Sequence, residues 1–217
     1  MLCGENRDRQ GLRLPGKQEQ YVEELLATGK PVVLILFGGR AQVVAGIAER
    51  CAAVIQAWYP GEEGGNAVAD ILYGNVSPSA KLSVSYPNTE VYEPLCYNYS
   101  AELDSRVAWP FGYGLSYTTF EYANLAMNTE AATTDEAITL SFDVKNTGEV
   151  EADEVAQIYL SPADGNANIR PIQLQGFARV SLAPGETKKV EVKMYTEQFG
   201  YYSNEGKRQW NITPGEF

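Results

Sequence analysis

The chain has 217 residues with 28 acidic and 17 basic side chains, which gives a net charge of −11. This charge argues against binding to nucleic acid or to an anionic membrane surface, because both interactions need a basic face. The sequence contains no histidine, which excludes a serine–histidine–aspartate triad and a zinc site with histidine ligands. Its three cysteines are widely separated, which predicts neither a disulfide framework nor a thiolate metal site. We therefore expect no metal and no cofactor.

The first 87 residues have the pattern of an α/β layer. Hydrophobic periodicity predicts alternating elements, in the order helix 17–28, strand 32–37, helix 41–50, strand 53–58, helix 63–73 and strand 82–86. Gly29 stands where a C-terminal cap belongs, and Val68, Ile71 and Leu72 are expected to point inward. Such alternation is typical of a mostly parallel sheet with crossover helices. About three strands are fewer than the ~5–6 of a mean sheet, so we expect a partial α/β sandwich without its N-terminal half.

The pattern changes after a polar, tyrosine-rich connection over 88–117. Apolar and polar residues alternate in three later segments, 138–144, 156–160 and 190–194. This period of two predicts antiparallel strands with one buried face, and turns rich in glycine and proline separate them. We expect an all-β sandwich of the immunoglobulin or fibronectin III type over 118–217. The sequence stops after Pro214 to Phe217 at the start of what reads as another strand, so the sandwich is expected to be clipped there.

Two stretches are specific enough to indicate a family. Residues Trp58 to Pro87 read WYPGEEGGNAVADILYGNVSPSAKLSVSYP. This stretch resembles the α/β sandwich signature of glycoside hydrolase family 3, the β-glucosidase and β-xylosidase group, although Ala80 stands where the family usually has glycine. FGYGLSYTTFEY, over Phe111 to Tyr122, resembles the family's linker into a fibronectin type III-like domain. Shorter matching pieces follow at Asn146-Thr147-Gly148, Glu154 to Tyr159, Arg170-Pro171, Gly176-Phe177 and Pro184-Gly185-Glu186.

The resemblance implies a retaining enzyme that uses two carboxylates ~5–5.5 Å apart. In the family an aspartate nucleophile lies on a barrel domain, and the glutamate acid/base commonly comes from the α/β sandwich domain. Glu5 to Arg9, followed by Leu14 to Gln18, fits the family's Glu-x-x-Asp/Ser-Arg segment before Leu-Pro-x-x-Gln. The candidate acid/base is therefore Glu5. Two alternatives stay open: Gly4-Glu5 could be an earlier Gly-Glu pair of the family, or Glu5 could be a solvated terminal residue.

These features predict a C-terminal fragment of a retaining, exo-acting β-glycosidase, with β-glucosidase as the favoured activity. The nucleophile-bearing barrel would precede Met1, so the fragment alone is expected to be inactive. Its expected partners are that barrel domain and a β-glucoside or oligosaccharide, with no nucleic acid and no membrane. Met1 to Arg9 contain no signal peptide, and a periplasmic or secreted location of the parent stays open.

The alternative is a non-catalytic module that binds carbohydrate or protein. Trp58, Trp109, Trp210 and the fourteen tyrosines could stack on sugar rings, although packing is the commoner role of such residues. An exposed apolar face on the α/β layer would favour the enzyme fragment, and a wide exposed aromatic groove on the sandwich would favour the binding module.

Overall fold

The structure is a computed structural model that describes residues 9–91, 95–98, 105–133, 135–163, 170–203, 209–212 and 214–217. The chain forms two compact units that alternate along the sequence. The first comprises residues 1–75, 82–96 and 103–113, and the second comprises 76–81, 97–102 and 114–217.

The described residues of the first unit form three helices and two pairs of strands. In chain order these are α1 (Gln18–Leu26), β1 (Val33–Phe37), α2 (Ala45–Ala48), β2 (Ala53–Trp58), α3 (Gly64–Leu72), β3 (Tyr86–Pro87) and β4 (Val107–Trp109). Strands β1 and β2 are parallel, with Val33 opposite Ala53 and Leu36 opposite Gln56. The predicted alternation of helices and strands is thus found from α1 to α3, and the first two strands form a parallel pair.

One small apolar core holds the beginning of this unit together. It joins α1, β1 and α2 through the buried side chains of Leu14, Val22, Leu34, Leu36, Val44 and Ile47. Helix α1 ends as its sequence predicts, because Gly29 adopts a φ of +72° and donates its N–H to the carbonyl of Leu26 at 3.1 Å. That left-handed conformation suits glycine at the end of a helix.

The predicted third parallel strand over 82–86 is wrong. The backbone of Leu82 instead donates to the carbonyl of Tyr113 and accepts from Gly112, each at 2.7 Å. Strand β3 pairs with β4 in the antiparallel direction. The apolar residues alternate with serine in 82–86 and Val84 is 42% exposed, which fits an antiparallel pairing better than a strand buried on both faces.

Helix α3 buries less of its apolar face than the sequence predicts. Leu72 was expected to point inward, but its side chain is 44% exposed, and Val68 and Ile71 are half-buried. The only fully buried residue of the helix is Gly64. Apolar side chains of α3 therefore remain accessible in the described residues.

The second unit is a β-sandwich with a small additional hairpin. Its strands are β5 (Phe120–Met127), β6 (Ala137–Asn146), β7 (Ala152–Leu160), β8 (Gln173–Leu182), β9 (Thr187–Tyr195), β10 (Tyr201–Ser203) and β11 (Gln209–Asn211). The order β5-β6-β9 forms one antiparallel sheet, β7-β8 forms the second, and β10 pairs with β11. The strands expected over 138–144, 156–160 and 190–194 are confirmed, because these segments lie in β6, β7 and β9.

The core of the sandwich consists of the residues that alternate inward. Both sheets contribute to it, through Leu140, Phe142, Val144, Ala156, Leu182, Val190, Val192 and Met194. One polar side chain, Asn146, is fully buried beside this core. Its Oδ1 accepts from the Thr118 hydroxyl at 2.5 Å and the Gly148 N–H at 3.1 Å, and its Nδ2 donates to the carbonyls of Val150 at 2.8 Å and Leu182 at 3.0 Å. The Asn-Thr-Gly motif thus has a structural role here.

Candidate functional site

The predicted acid/base residue, Glu5, lies outside the described residues. The described chain begins four residues later, at Arg9. The segment from Arg9 to Arg13, which precedes the buried residue Leu14, is the described part of the chain nearest to Glu5 in the sequence. We call it the lead segment.

The lead segment is held by a carboxylate that is distant in the sequence. The N–H of Leu12 donates to both oxygens of Glu90, at 2.9 Å to Oε2 and 3.1 Å to Oε1, and the N–H of Arg13 donates to Oε1 at 3.1 Å. Gly11 has a φ of +79°, a left-handed conformation that strains other residues. A Cβ atom at this position would lie 3.3 Å from Glu90 Oε1. The backbone therefore forms a two-donor cradle for a carboxylate.

Further contacts join the lead segment to the rest of the first unit. Leu12 accepts a hydrogen bond from the Val43 N–H at 2.9 Å, and Arg13 forms a parallel bridge with Val43. Arg40 Nη1 donates to the carbonyl of Arg9 at 3.0 Å. The guanidinium of Arg13 pairs with Glu19, with Nε 3.1 Å from Oε2.

These contacts connect the lead segment to the carboxyl ends of the parallel strands. Arg40 follows the end of β1 by three residues. At the same edge the Gly38 N–H donates to the carbonyl of Trp58 at 3.0 Å, and Gln56 Nε2 donates to the carbonyl of Gly38 at 3.0 Å. Open α/β sheets bind ligands at the carboxyl ends of their strands, so this edge is a suitable location for a catalytic segment.

Three aromatic rings pack together in this unit. Tyr86 makes edge-to-face contacts with Trp58 and Trp109, with ring centroids 6.3 Å and 6.1 Å apart. Tyr86 is only 2% exposed, and this burial raises the pKa of its hydroxyl. The packing role expected of Trp58 and Trp109 agrees with this arrangement.

Four buried polar atoms have no hydrogen-bond partner in the described part of the chain. They are Arg9 Nε, Gln42 Oε1, Gln56 Oε1 and the hydroxyl of Tyr86. Buried polar groups are normally paired with a hydrogen-bond partner, and all four of these atoms belong to the first unit. Arg9 belongs to the lead segment, and Gln42 adjoins Val43, to which that segment is bonded.

The second unit contains a buried charged cluster that the sequence reasoning missed. Lys81 Nζ lies 3.2 Å from Glu154 Oε2 and 3.2 Å from the carbonyl of Gly114, and the Tyr122 hydroxyl donates to Glu154 Oε1 at 2.9 Å. The side chains of Lys81 and Glu154 are 16% and 10% exposed. Desolvation and, to a lesser degree, the Glu154 carboxylate raise the pKa of Tyr122. The available signal was an acidic residue on the buried face of β7, between Ala152 and Ala156.

The described residues contain no group of three or more histidine, cysteine, aspartate or glutamate side chains that could hold a metal ion. Within the same residues, no helix combines the length and the apolar character that crossing a membrane requires. The second unit carries a shallow surface depression near β8 and β9, lined by Leu174, Gln175, Gly176, Phe177, Glu191, Val192 and Lys193.

Comparison with known proteins gives matches along the whole chain. The Glycosyl hydrolase family 3 C-terminal domain matches residues 2–117, and the Fibronectin type III-like domain matches residues 154–217. A beta-xylosidase of Formosa agariphila is 34% identical over 99% of this chain, and the periplasmic beta-glucosidase of Salmonella typhimurium is 33% identical over 100% of it. The crystal structure of a beta-glucosidase from Listeria innocua in complex with glucose superimposes with a TM-score of 0.86 at 31% identity, over 98% of this chain. The chain spans 31%, 30% and 32% of these three proteins, respectively.

Proposed function

We propose that this chain, which belongs to glycosyl hydrolase family 3, supplies the acid/base carboxylate of a retaining, exo-acting β-glycosidase. We also propose that the chain is inactive alone. The observation that carries the proposal is the match over nearly the whole chain to relatives named beta-glucosidase and beta-xylosidase. We favour a β-glucoside as the substrate, with a β-xyloside as the second choice.

In this proposal Glu5 acts twice. It first donates a proton to the oxygen of the leaving group while an aspartate of a barrel domain attacks the sugar. It then removes a proton from the water that opens the glycosyl-enzyme. A second carboxylate must act as the nucleophile that forms the glycosyl-enzyme, so activity requires the barrel domain as a partner.

The exposed apolar side chains of the first unit support a docking surface for that domain. Phe37 ends β1 and is 59% exposed, and Tyr59 follows β2 and is 74% exposed. Both residues lie at the strand ends to which the lead segment is connected. Large apolar side chains exposed together are typical of an interaction surface. A barrel docked there would bring its nucleophile toward the segment that carries Glu5.

Complementation tests the proposal. The chain is mixed with the part of the Listeria innocua beta-glucosidase that it does not match, and p-nitrophenyl β-glucoside and β-xyloside are assayed. We expect activity only in the mixture, and its loss in Glu5→Gln. The control is Glu49→Gln, which makes the same charge change at an exposed residue of the first unit.

The other outcomes separate the parts of the proposal. An active mixture in which Glu5→Gln equals the unaltered chain would retain the glycosidase function and reject Glu5. Turnover by the chain alone would reject its inactivity. Association without activity would favour the alternative of a carbohydrate- or protein-binding module, for which the depression beside Phe177, a ring 67% exposed, is the surface to examine.

A further inference from the structure

We propose that Glu90 is a positioning residue for the acid/base carboxylate, because it fixes the backbone of the segment that leads to Glu5. The inference rests on the proposed function, which assigns the acid/base role to Glu5. Glu90 itself does not contact the reacting atoms in this proposal; it acts through the lead segment.

The geometry of the cradle carries the argument. Glu90 accepts three hydrogen bonds from the adjacent N–H groups of Leu12 and Arg13. Hydrogen bonds to an ionised carboxylate are stronger than those between neutral groups. The left-handed backbone of Gly11 precedes these two donors. The lead segment is therefore adapted in both sequence and conformation to hold this carboxylate.

Glu90 is itself attached to a paired part of the chain. It follows β3 by three residues. Between them, the Asn88 N–H donates to the carbonyl of Arg106 at 2.8 Å, and Asn88 Nδ2 donates to the carbonyl of Ser105 at 2.5 Å. The carboxylate thus ties the lead segment to a hydrogen-bonded strand region 78 residues away in the sequence.

The contact between the side chains of Arg13 and Glu19 is a weaker anchor of the lead segment. The Arg13–Glu19 pair is largely exposed, at 58% and 31%, and such surface pairs contribute little. Arg40 also contacts the lead segment, through the hydrogen bond from its Nη1 to the carbonyl of Arg9. Glu90 provides the charge and the two-donor geometry that restrain the backbone itself.

Chain length links this anchor to catalysis. Three residues lie between Glu5 and Arg9, so these two residues are at most about 14 Å apart in an extended chain. Proton transfer requires heavy atoms ~2.6–3.2 Å apart, and a displacement of ~1 Å can reduce the rate by about 100-fold. Release of Leu12 and Arg13 would enlarge the space that Glu5 samples and reduce the time it spends at the leaving oxygen.

The leaving group distinguishes positioning from a general structural defect. A 2,4-dinitrophenolate departs without protonation, whereas a phenolate needs the acid. In the complemented enzyme we expect Glu90→Ala to lower kcat/KM for phenyl β-glucoside by ~10–100-fold, and for the dinitrophenyl substrate by less than ~3-fold. Glu90→Gln keeps one acceptor oxygen and should lie between Glu90→Ala and the unaltered chain. The control is again Glu49→Gln. Equal losses on both substrates would overturn the inference.

Two measurements distinguish a failure of the proposed function from a failure of the role assigned to Glu90. If Glu5→Gln shows no dependence on the leaving group, the proposed function fails and this inference fails with it. If Glu5→Gln shows that dependence and Glu90→Ala and Glu90→Gln do not, only the role of Glu90 is rejected. Amide hydrogen exchange in the full chain without its partner tests the cradle directly: exchange at Leu12 and Arg13 should be at least ~10-fold faster in Glu90→Gln. Unchanged exchange would overturn the anchor.

Discussion

Removal of Lys81 should destabilise the second unit far more than removal of an exposed lysine. In Lys81→Met, the Glu154 carboxylate loses its cationic partner while its side chain stays 10% exposed. Removal of one partner of a buried ion pair lowers the free energy of unfolding by about 3–5 kcal/mol. The Tyr122 hydroxyl continues to donate to Glu154 at 2.9 Å and Lys81 is itself 16% exposed, so we expect a loss near the lower end, about 3 kcal/mol.

Urea unfolding followed by far-ultraviolet circular dichroism measures this loss. The free energy of unfolding falls by about 1–3 kcal/mol for each molar of urea, so a loss of about 3 kcal/mol lowers the urea concentration at the midpoint of unfolding by ~1–3 M. The matched control is Lys189→Met, because the Lys189–Glu191 pair spans 3.5 Å with both side chains 62% exposed. Its loss should stay below ~0.5 kcal/mol.

The double variant provides the decisive comparison. Lys81→Met combined with Glu154→Gln removes both charges, and replacement of a whole buried pair is often close to neutral. We therefore expect the double variant to be more stable than Lys81→Met alone. A double variant whose loss equals the sum of the two single losses, or a Lys81→Met loss equal to that of Lys189→Met, would refute the coupling between Lys81 and Glu154.

Three further predictions concern single side chains. Asn146→Ala leaves the carbonyls of Val150 and Leu182 and two donors without their partner, so the unfolding free energy should fall by ~2–4 kcal/mol in urea titrations; a loss below ~1 kcal/mol would contradict this. Tyr86→Phe removes a buried hydroxyl that lacks a partner among the described residues, so thermal unfolding should show unchanged or higher stability, and a clear loss would reveal a missed partner. Burial raises the pKa of Tyr86 above its usual value near 10. Titration of this group therefore leaves the free energy of unfolding unchanged below pH ~10. That free energy falls as the pH rises from there toward the folded-state pKa, because the hydroxyl of the unfolded chain ionises first. Tyr86→Phe should reduce this alkaline loss in unfolding measured across that range. Gly11→Ala should accelerate amide exchange at Leu12, because the φ of +79° strains alanine; unchanged exchange would contradict the strain.

Local patterns in the sequence were sufficient for strands whose own residues alternate between a buried and an exposed face, even where the pairing partner is distant in the chain. The period of two in β6 and β9 corresponds to their observed burial. The continuous apolar run of β1 does not, because Val33 and Phe37 are exposed while Leu34 and Leu36 are buried. The error over 82–86 arose because the pairing partner lies in 105–113, within the connection over 88–117 for which no strand was predicted. Strand β5 was also missed, since seven of its eight residues are exposed and its pattern carries no buried face.

The contacts of the candidate site were beyond the reach of local patterns for the same reason. Glu90 and Leu12 are 78 residues apart, and Lys81 and Glu154 are 73 apart. Nothing in a short window around Glu90 distinguishes it from a solvated glutamate. Glu154 was more accessible to prediction, because a charge on the buried face of an alternating strand requires a partner.

The family signature and the catalytic assignment depend on different kinds of residue. Lys81, Glu154 and Asn146 lie in the motifs that identify the family, and in the second unit they satisfy one another or the backbone. Residues of this kind are constrained by packing and hydrogen bonding, whichever sugar is cleaved. The acid/base assignment depends on a short segment before the first helix, in the kind of loop where related enzymes differ most. A chain can therefore belong clearly to a family while its catalytic residue remains a proposal. In our proposal the cradle at Glu90 links the two, because it connects the hydrogen-bonded region after β3 to the segment in which the chemistry would occur.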